Sequence, residues 1–187
     1  MYGLTTVATT ALLAASALAA PAATIDGTES CTRTSTRVTT FNVKDFDFHA
    51  SWTFSTPAHQ IAGGYVNFTL GNAALPYVYT CSAASTQLED FYYGNFIYNC
   101  TDPTGRQTRE GTFTYSRPTT TLAINQTWEC PEGSRFWAEG AAKLDLHCNE
   151  TKWQNPNWQP GQIYSSRSVT CDKLTQPVPI TNMRAAA

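Results

Sequence analysis

The sequence predicts an all-β fold, a single antiparallel barrel or sandwich stapled by disulfides. Three observations lead there. Apolar and polar residues alternate in many short runs separated by Gly, Pro and Asn turns, the pattern of strands with one buried and one wet face. No window of a dozen residues carries a helical period. All 6 cysteines lie beyond the first 19 residues, an even number that reads as three disulfides in an oxidising compartment.

The amino terminus sets the compartment. An apolar, Ala-rich stretch from Leu12 to Ala20 contains Ala17-Leu18-Ala19, a small-x-small cleavage signature, so residues 1–19 are expected to be a signal peptide and the protein secreted and extracellular. The run is too short to span a bilayer. Residues 20–37 are Thr- and Ser-rich without apolar period and are expected to form a flexible N-terminal arm carrying Cys31. The β-barrel domain is expected over 38–175 and a C-terminal tail over 176–187. About 168 residues remain after cleavage, enough for one core. Charged residues are 14% and the net charge is -2, so no basic patch favours nucleic acid and no Lys/Arg cluster favours a membrane.

The elements follow in order. Phe46, Phe48, Ala50, Trp52 and Phe54 alternate with Asp47, His49, Ser51 and Thr53 until Pro57 closes the run. After Gly63-Gly64, Val66, Phe68 and Leu70 share a face, and Gly71-Asn72 ends that strand. Tyr77, Tyr79 and Cys81 enter a polar turn, and Phe96, Tyr98 and Cys100 return from it, as two antiparallel strands stapled at their cysteines would. Phe113 and Tyr115 mark a short strand ended by Pro118. Leu122, Ile124, Gln126, Trp128 and Cys130 share a face, Pro131-Glu132-Gly133 turns the chain, and one run is expected from Phe136 to Cys148.

Six cysteines allow 15 pairings. Cys81, Cys100, Cys130 and Cys148 each close an alternating run on its apolar face. The nearest-neighbour pairs Cys81–Cys100 and Cys130–Cys148 would each close a loop of about 20 residues, worth roughly 3 kcal/mol in chain entropy. Cys31 and Cys171 are then left over, one on each terminal arm, and a link between them would tie both ends to the body. No Cys-x-x-Cys cluster suggests a metal, and no cofactor is expected. Asn67, Asn99, Asn125 and Asn149 each begin an Asn-x-Thr sequon, candidates for glycosylation in a secreted chain.

Trp153-Gln-Asn-Pro-Asn-Trp158-Gln-Pro-Gly161 breaks the strand pattern, because two prolines do not fit a central strand. Trp153 and Trp158 either pack down over a barrel end or mark a recognition loop. No nucleophile elbow, zincin helix or phosphate-binding glycine loop occurs. Asp145 and His147, two apart on the wet face of one expected strand, suggest a general-base pair without a nucleophile. Asp45 with Asp47, and Glu89 with Asp90, are the carboxylate pairs that a glycosidase mechanism requires. Such pairs are common on strand faces and in turns, so the expectation is a non-enzyme.

Thr80-Cys81-Ser82-Ala83, then Leu88-Glu89-Asp90, then an aromatic run into Cys100 resembles the hallmark segment of the Alternaria major allergen family of secreted fungal proteins. The signal peptide, the strand at Phe41 to Phe46 and the later pair Cys130 and Cys148 agree with that resemblance, which runs from about Val38 to Cys148. It implies a compact antiparallel barrel with two intramolecular disulfides, and allergen, elicitor or virulence roles without an enzymatic mechanism. It also implies host partners such as plant defence proteins of the thaumatin-like class, or small phenolic ligands. A dimer bridged by an N-terminal cysteine, here Cys31, is implied as well, against which Cys171 offers an intramolecular partner. The expectation is therefore a secreted allergen-like effector, monomer or homodimer, that binds host protein. The alternative is a carrier of small apolar ligands using aromatic residues such as Tyr77, Tyr79, Phe91, Tyr92 and Tyr93. A carboxylate-dependent hydrolase and a structural cell-wall role follow behind.

Overall fold

β1 (Thr40–Thr56) is the strand to which the others are fitted. Phe41 and Val43 are buried, and then Phe46, Phe48, Ala50 and Trp52, so the inward parity changes after Val43. The cause is a β-bulge: pairing with both neighbours slips there, and Asp45 takes a φ of 53°. A bulge adds one residue and bends the strand, which lets one 17-residue strand serve two parts of the molecule.

The computed structural model describes residues 30–86 and 92–187. The signal peptide expected over residues 1–19 and the pair Glu89 and Asp90 therefore lie outside the described residues, as does Phe91. A short helix, α1 (Cys31–Ser35), precedes β1. After it come β2 (His59–Gly71), β3 (Tyr79–Ser85), β4 (Tyr98–Thr101), β5 (Gln107–Ser116), β6 (Thr121–Glu129) and β7 (Arg135–Lys143). The chain ends with β8 (Cys148–Gln154), β9 (Ser165–Cys171) and β10 (Leu174–Ala186). β1 to β7 pair in chain order, and β10 closes the circle between β7 and β1. The product is a closed eight-stranded antiparallel barrel, the all-β fold that the alternation predicts.

Aromatic rings fill the lumen. Phe46, Phe48, Phe68, Tyr92, Tyr98, Phe113 and Tyr115 stand with ring centroids 4.9–6.0 Å apart. Burying each such ring stabilises the fold by about 1.5–3 kcal/mol. The Tyr92 hydroxyl donates to the Ala83 carbonyl at 2.8 Å, and burial pushes the Tyr92 and Tyr115 phenols well above their ordinary pKa. Gln126 interrupts the apolar face of β6 because its Oε1 accepts a hydrogen bond from the buried Asn72 amide at 2.7 Å.

Several expectations are corrected. Residues 176–187 are not a tail: they form most of β10, with Thr40 to Val43 of β1 opposite Gln176 to Pro179, and Ile180 to Ala186 paired with β7. Within the arm expected over 20–37, residues 30–37 are anchored rather than loose. Ser30 caps α1, Glu132 accepts from Cys31 N and the Thr32 hydroxyl, and the buried Ser35 hydroxyl accepts from Trp128 Nε1 at 2.8 Å. The run expected from Phe136 to Cys148 is broken, since β7 ends at Lys143 and β8 begins at Cys148. Between them Leu144 N turns to the Thr120 carbonyl at 2.8 Å and Asp145 N to Gln176 Oε1 at 3.2 Å.

The disulfides are Cys31–Cys130, Cys81–Cys100 and Cys148–Cys171. The expected Cys130–Cys148 bond fails on geometry. β6 and β7 form a hairpin, so Cys130 lies at its turn and Cys148 past the far end of β7, roughly 30 Å away at the strand rise per residue. Cys148 instead stands directly opposite Cys171 on paired strands. Cys31 then bonds Cys130, not Cys171 and not a second copy.

Candidate functional site

The site stands on the part of β1 that the barrel does not use. From His49 to Phe54, β1 pairs with β9 on one edge and with β2 on the other. β8 pairs with β9, and β3 reaches only to Ser85, opposite Gly64. The strands β8, β9, β1 and β2 therefore form a four-stranded extension beyond the barrel rim, with β8 at its edge.

Strand registers define the outer face of this extension. Trp153, Ser166, Thr53 and Ile61 lie in one row. Thr151, Ser168, Ser51 and Gly63 follow in the next. Asn149, Thr170, His49, Tyr65 and Ala84 make the third. Small side chains at the centre leave a shallow depression of about 310 Å³. Tyr65 lines it, and Trp153 and Ile61 stand two rows away on the same face. At 52%, 59% and 37% exposure for Trp153, Ile61 and Tyr65, three large apolar groups share one wet face. The His49 ring stacks on Tyr65 at 4.7 Å and its Nε2 meets Asp47 Oδ1 at 2.8 Å. Partial desolvation and, second to it, the Asp47 carboxylate raise the Tyr65 phenol above its ordinary pKa.

The opposite face is ionic and aromatic. Arg167 lies over the buried Trp52 ring, 4.4 Å from its centroid, and Arg117 lies 5.1 Å from the same centroid. Arg167 grips Glu150 through two hydrogen bonds of 2.7 and 3.2 Å, and Lys152 Nζ touches Glu150 at 2.9 Å. Hydrogen bonds from Arg167 first and Lys152 second hold the Glu150 carboxyl at a pKa of about 2. Beside this cluster, at the end of the extension, is a cleft of about 340 Å³ whose lining takes in residues of both faces, among them Phe54, Lys152, Trp153, Gln154, Ser165 and Arg167.

The loop from Asn155 to Tyr164 is fixed by its own polar groups. Asn155 N donates to the Tyr164 carbonyl, and Asn155 Nδ2 donates to Gln162 Oε1 at 3.2 Å. Trp158 Nε1 donates to the Gln162 carbonyl at 2.8 Å, and the Trp158 ring meets Tyr164 edge-on at 5.9 Å. The two tryptophans thus separate in role: Trp158 ties the loop together, and Trp153 points outward from β8 rather than from the loop.

The remaining sequence candidates are not brought together. Asp45 sits at the bulge, while Asp47 is turned to His49, so the two carboxylates do not form a pair facing one substrate. Asp145 and His147 lie in the exposed connection between β7 and β8, not on one strand. Asn67, Asn99, Asn125 and Asn149 all lie on strands, and Asn67 Oδ1 accepts from the Ser82 hydroxyl at 2.6 Å. Cys31, Cys130 and Glu132 cluster closely enough to suggest metal ligands, but the two sulfurs are bonded to each other. Sequence reasoning missed Ile61, Tyr65, Glu150 and Arg167. A signal existed for the first two, since apolar Ile61 and Tyr65 alternate with buried Ala62 and Val66, which puts apolar groups on both faces of β2.

Comparison with known proteins adds the following. A family model described as Alternaria alternata allergen 1 matches residues 43–171. The match takes in β8 and β9, so the family pattern continues to Cys171 instead of ending at Cys148. A crystal structure of Alternaria alternata major allergen Alt a 1 is 14% identical, covering 76% of this chain and 92% of that one, with a TM-score of 0.40. A second crystal structure of Alternaria alternata allergen Alt a 1 is also 14% identical, covering 76% of this chain and 87% of that one, with a TM-score of 0.41. No curated relative matches by sequence.

Proposed function

The chain belongs to the Alternaria alternata allergen 1 family, and from that premise we propose that it is a secreted, non-enzymatic effector that binds a host protein through the outer face of the four-stranded extension. The observation that carries this reading is the exposure of Trp153, Ile61 and Tyr65 on one face of the sheet, with the small residues Thr151, Ser168, Ser51 and Gly63 in the row between them. Aromatic anchors on a rigid support are what protein interfaces use as energetic centres, and a sheet holds them in place better than a loop does. The extension is not needed to close the barrel, which leaves it available for recognition.

The experiment is capture of a partner from plant apoplastic fluid, followed by affinity measurement with Trp153→Ala and Ile61→Ala variants. Truncating a central interface Trp costs about 2 kcal/mol or more, roughly a 30-fold loss in affinity. Absence of a specific partner, or equal binding by both variants, would overturn the assignment.

A second reading has its own observation. The cleft of about 340 Å³ beside Phe54 and Arg167 falls at the lower end of ligand-pocket volumes, and Lys152 and Arg167 suit a small phenolic ligand carrying an acidic group. The aromatic lumen gives no such room, because Tyr79 and Tyr92 are themselves core. Ligand-dependent quenching of tryptophan fluorescence that survives Arg167→Ala would remove this cleft as the site.

A further inference from the structure

The backbone of β8 has a determinable phase. Cys148 and Cys171 face each other with Cα atoms 3.9 Å apart, the short separation of a non-hydrogen-bonded antiparallel pair. The adjoining pairs agree, since Asp172 N donates to the His147 carbonyl and, at the other end, Asn155 N to the Tyr164 carbonyl. Asn149, Thr151 and Trp153 therefore turn their backbone groups toward β9. Glu150, Lys152 and Gln154 turn theirs away, toward an edge that no strand occupies among the described residues. All seven residues of β8 are exposed and none is proline. Such an edge is a template for another strand.

The charges select the strand that fits. An antiparallel second copy must place outward-turned residues opposite outward-turned residues. Near the middle of β8 that leaves three symmetric registers, with Glu150 opposite Glu150, Lys152 opposite Lys152, or Glu150 opposite Lys152. The first two set like charges face to face, which is destabilising. The third has its two-fold axis at Thr151 and pairs opposite charges twice, both at hydrogen-bonding positions. Lys152 is 73% exposed although it touches its own Glu150, and an ammonium carries three donors, so it can serve both carboxylates.

We propose that β8 pairs with β8 of a second copy about a two-fold axis at Thr151, joining two four-stranded extensions into one eight-stranded sheet. The association is non-covalent, because Cys31 is bonded within the chain. It sets two Trp153-bearing faces side by side on a continuous sheet, and it stands whether or not that face binds a host protein.

Sedimentation velocity of the full chain with its disulfides intact tests the proposal. A monomer–dimer equilibrium that weakens as salt rises is expected. Lys152→Pro removes an outward N–H and leaves the bonds to β9, so it should give a monomer with near-normal thermal stability. Lys152→Glu and Glu150→Lys should each associate at least about tenfold more weakly alone. Mixed together, they should recover a heterodimer, because each then faces opposite charges. A wild-type protein that stays monomeric at every concentration would overturn the proposal. So would a dimer indifferent to Lys152→Pro, or variants whose mixture gains nothing.

Discussion

Gly140 of β7 lies against the carbonyl of Pro179 in β10, in the space where any other residue would carry its Cβ. The contact falls at the pairing of Gly140 with Ile180, just before β10 slips register, and so at the seam where the barrel closes. Gly140→Ala would press a side chain into backbone, which cannot rotate away. Overpacking of this kind costs typically 1–3 kcal/mol and occasionally more. We expect about 3 kcal/mol here, a fall in Tm of roughly 6–12 °C for a chain of this size. A thermal melt unchanged within a degree or two would refute the close approach.

The hydrogen bond from Trp128 Nε1 to Ser35 Oγ holds α1 to the barrel. Ser35→Ala leaves a buried indole N–H without its acceptor, a loss of about 1–3 kcal/mol. Ser35→Thr, which keeps the hydroxyl, should recover part of it. Chemical denaturation of the three proteins decides the point.

Disulfide mapping distinguishes the observed pairing from the one that spacing suggests. Proteolysis without reduction should release a peptide linking Cys148 to Cys171 and another linking Cys31 to Cys130. The second bond spans 99 residues, and chain entropy assigns such a closure roughly 4.7 kcal/mol. A Cys31→Ser, Cys130→Ser double variant should therefore unfold at markedly lower denaturant. Recovery of a Cys130–Cys148 peptide would contradict the fold.

Glu150 makes the ionic cluster unusually tolerant of acid. Its folded pKa of about 2 lies below the ordinary carboxylate value near 4.3, so the unfolded chain binds the extra proton as pH falls. The contribution is complete above about pH 4.5 and is lost only as pH falls toward 2. Carboxylate chemical shifts should show Glu150 titrating well below the other glutamates. Arg167→Gln removes the larger cause and should return the midpoint toward the ordinary range; an unmoved midpoint would exclude the ion pair.

Trp158→Ala should leave the barrel intact and loosen residues 155–164. The indole N–H to Gln162 and the edge contact with Tyr164 are local to that loop. Faster amide exchange confined to the loop, with an unchanged melting temperature, is the expected signature.

Much of the fold was legible because a two-residue period records which face is buried. Phe46 to Phe54, Leu122 to Trp128 and the Cys81–Cys100 staple all follow from it. The extension was harder to read. Residues 148–154 carry no apolar alternation, because β8 is exposed on both faces and packs no core. β10 was hidden for a related reason: its inward face holds Val178 buried, but Pro177 and Pro179 read as strand breakers. They are tolerated where β10 changes partners, since Pro lacks only an N–H that this position does not need.

By itself the sequence determined the all-β class, the strand positions with a regular period, the even set of disulfide cysteines and the family resemblance. These rest on local chemistry, the alternation of side chains and the residue types of turns. Only the tertiary structure decided which cysteines meet, that the last residues close the barrel, and that Trp153, Ile61 and Tyr65 share one face. Those facts depend on strand order and register, and a bulge of one residue at Asp45 is enough to shift the register of β1 against both of its neighbours there.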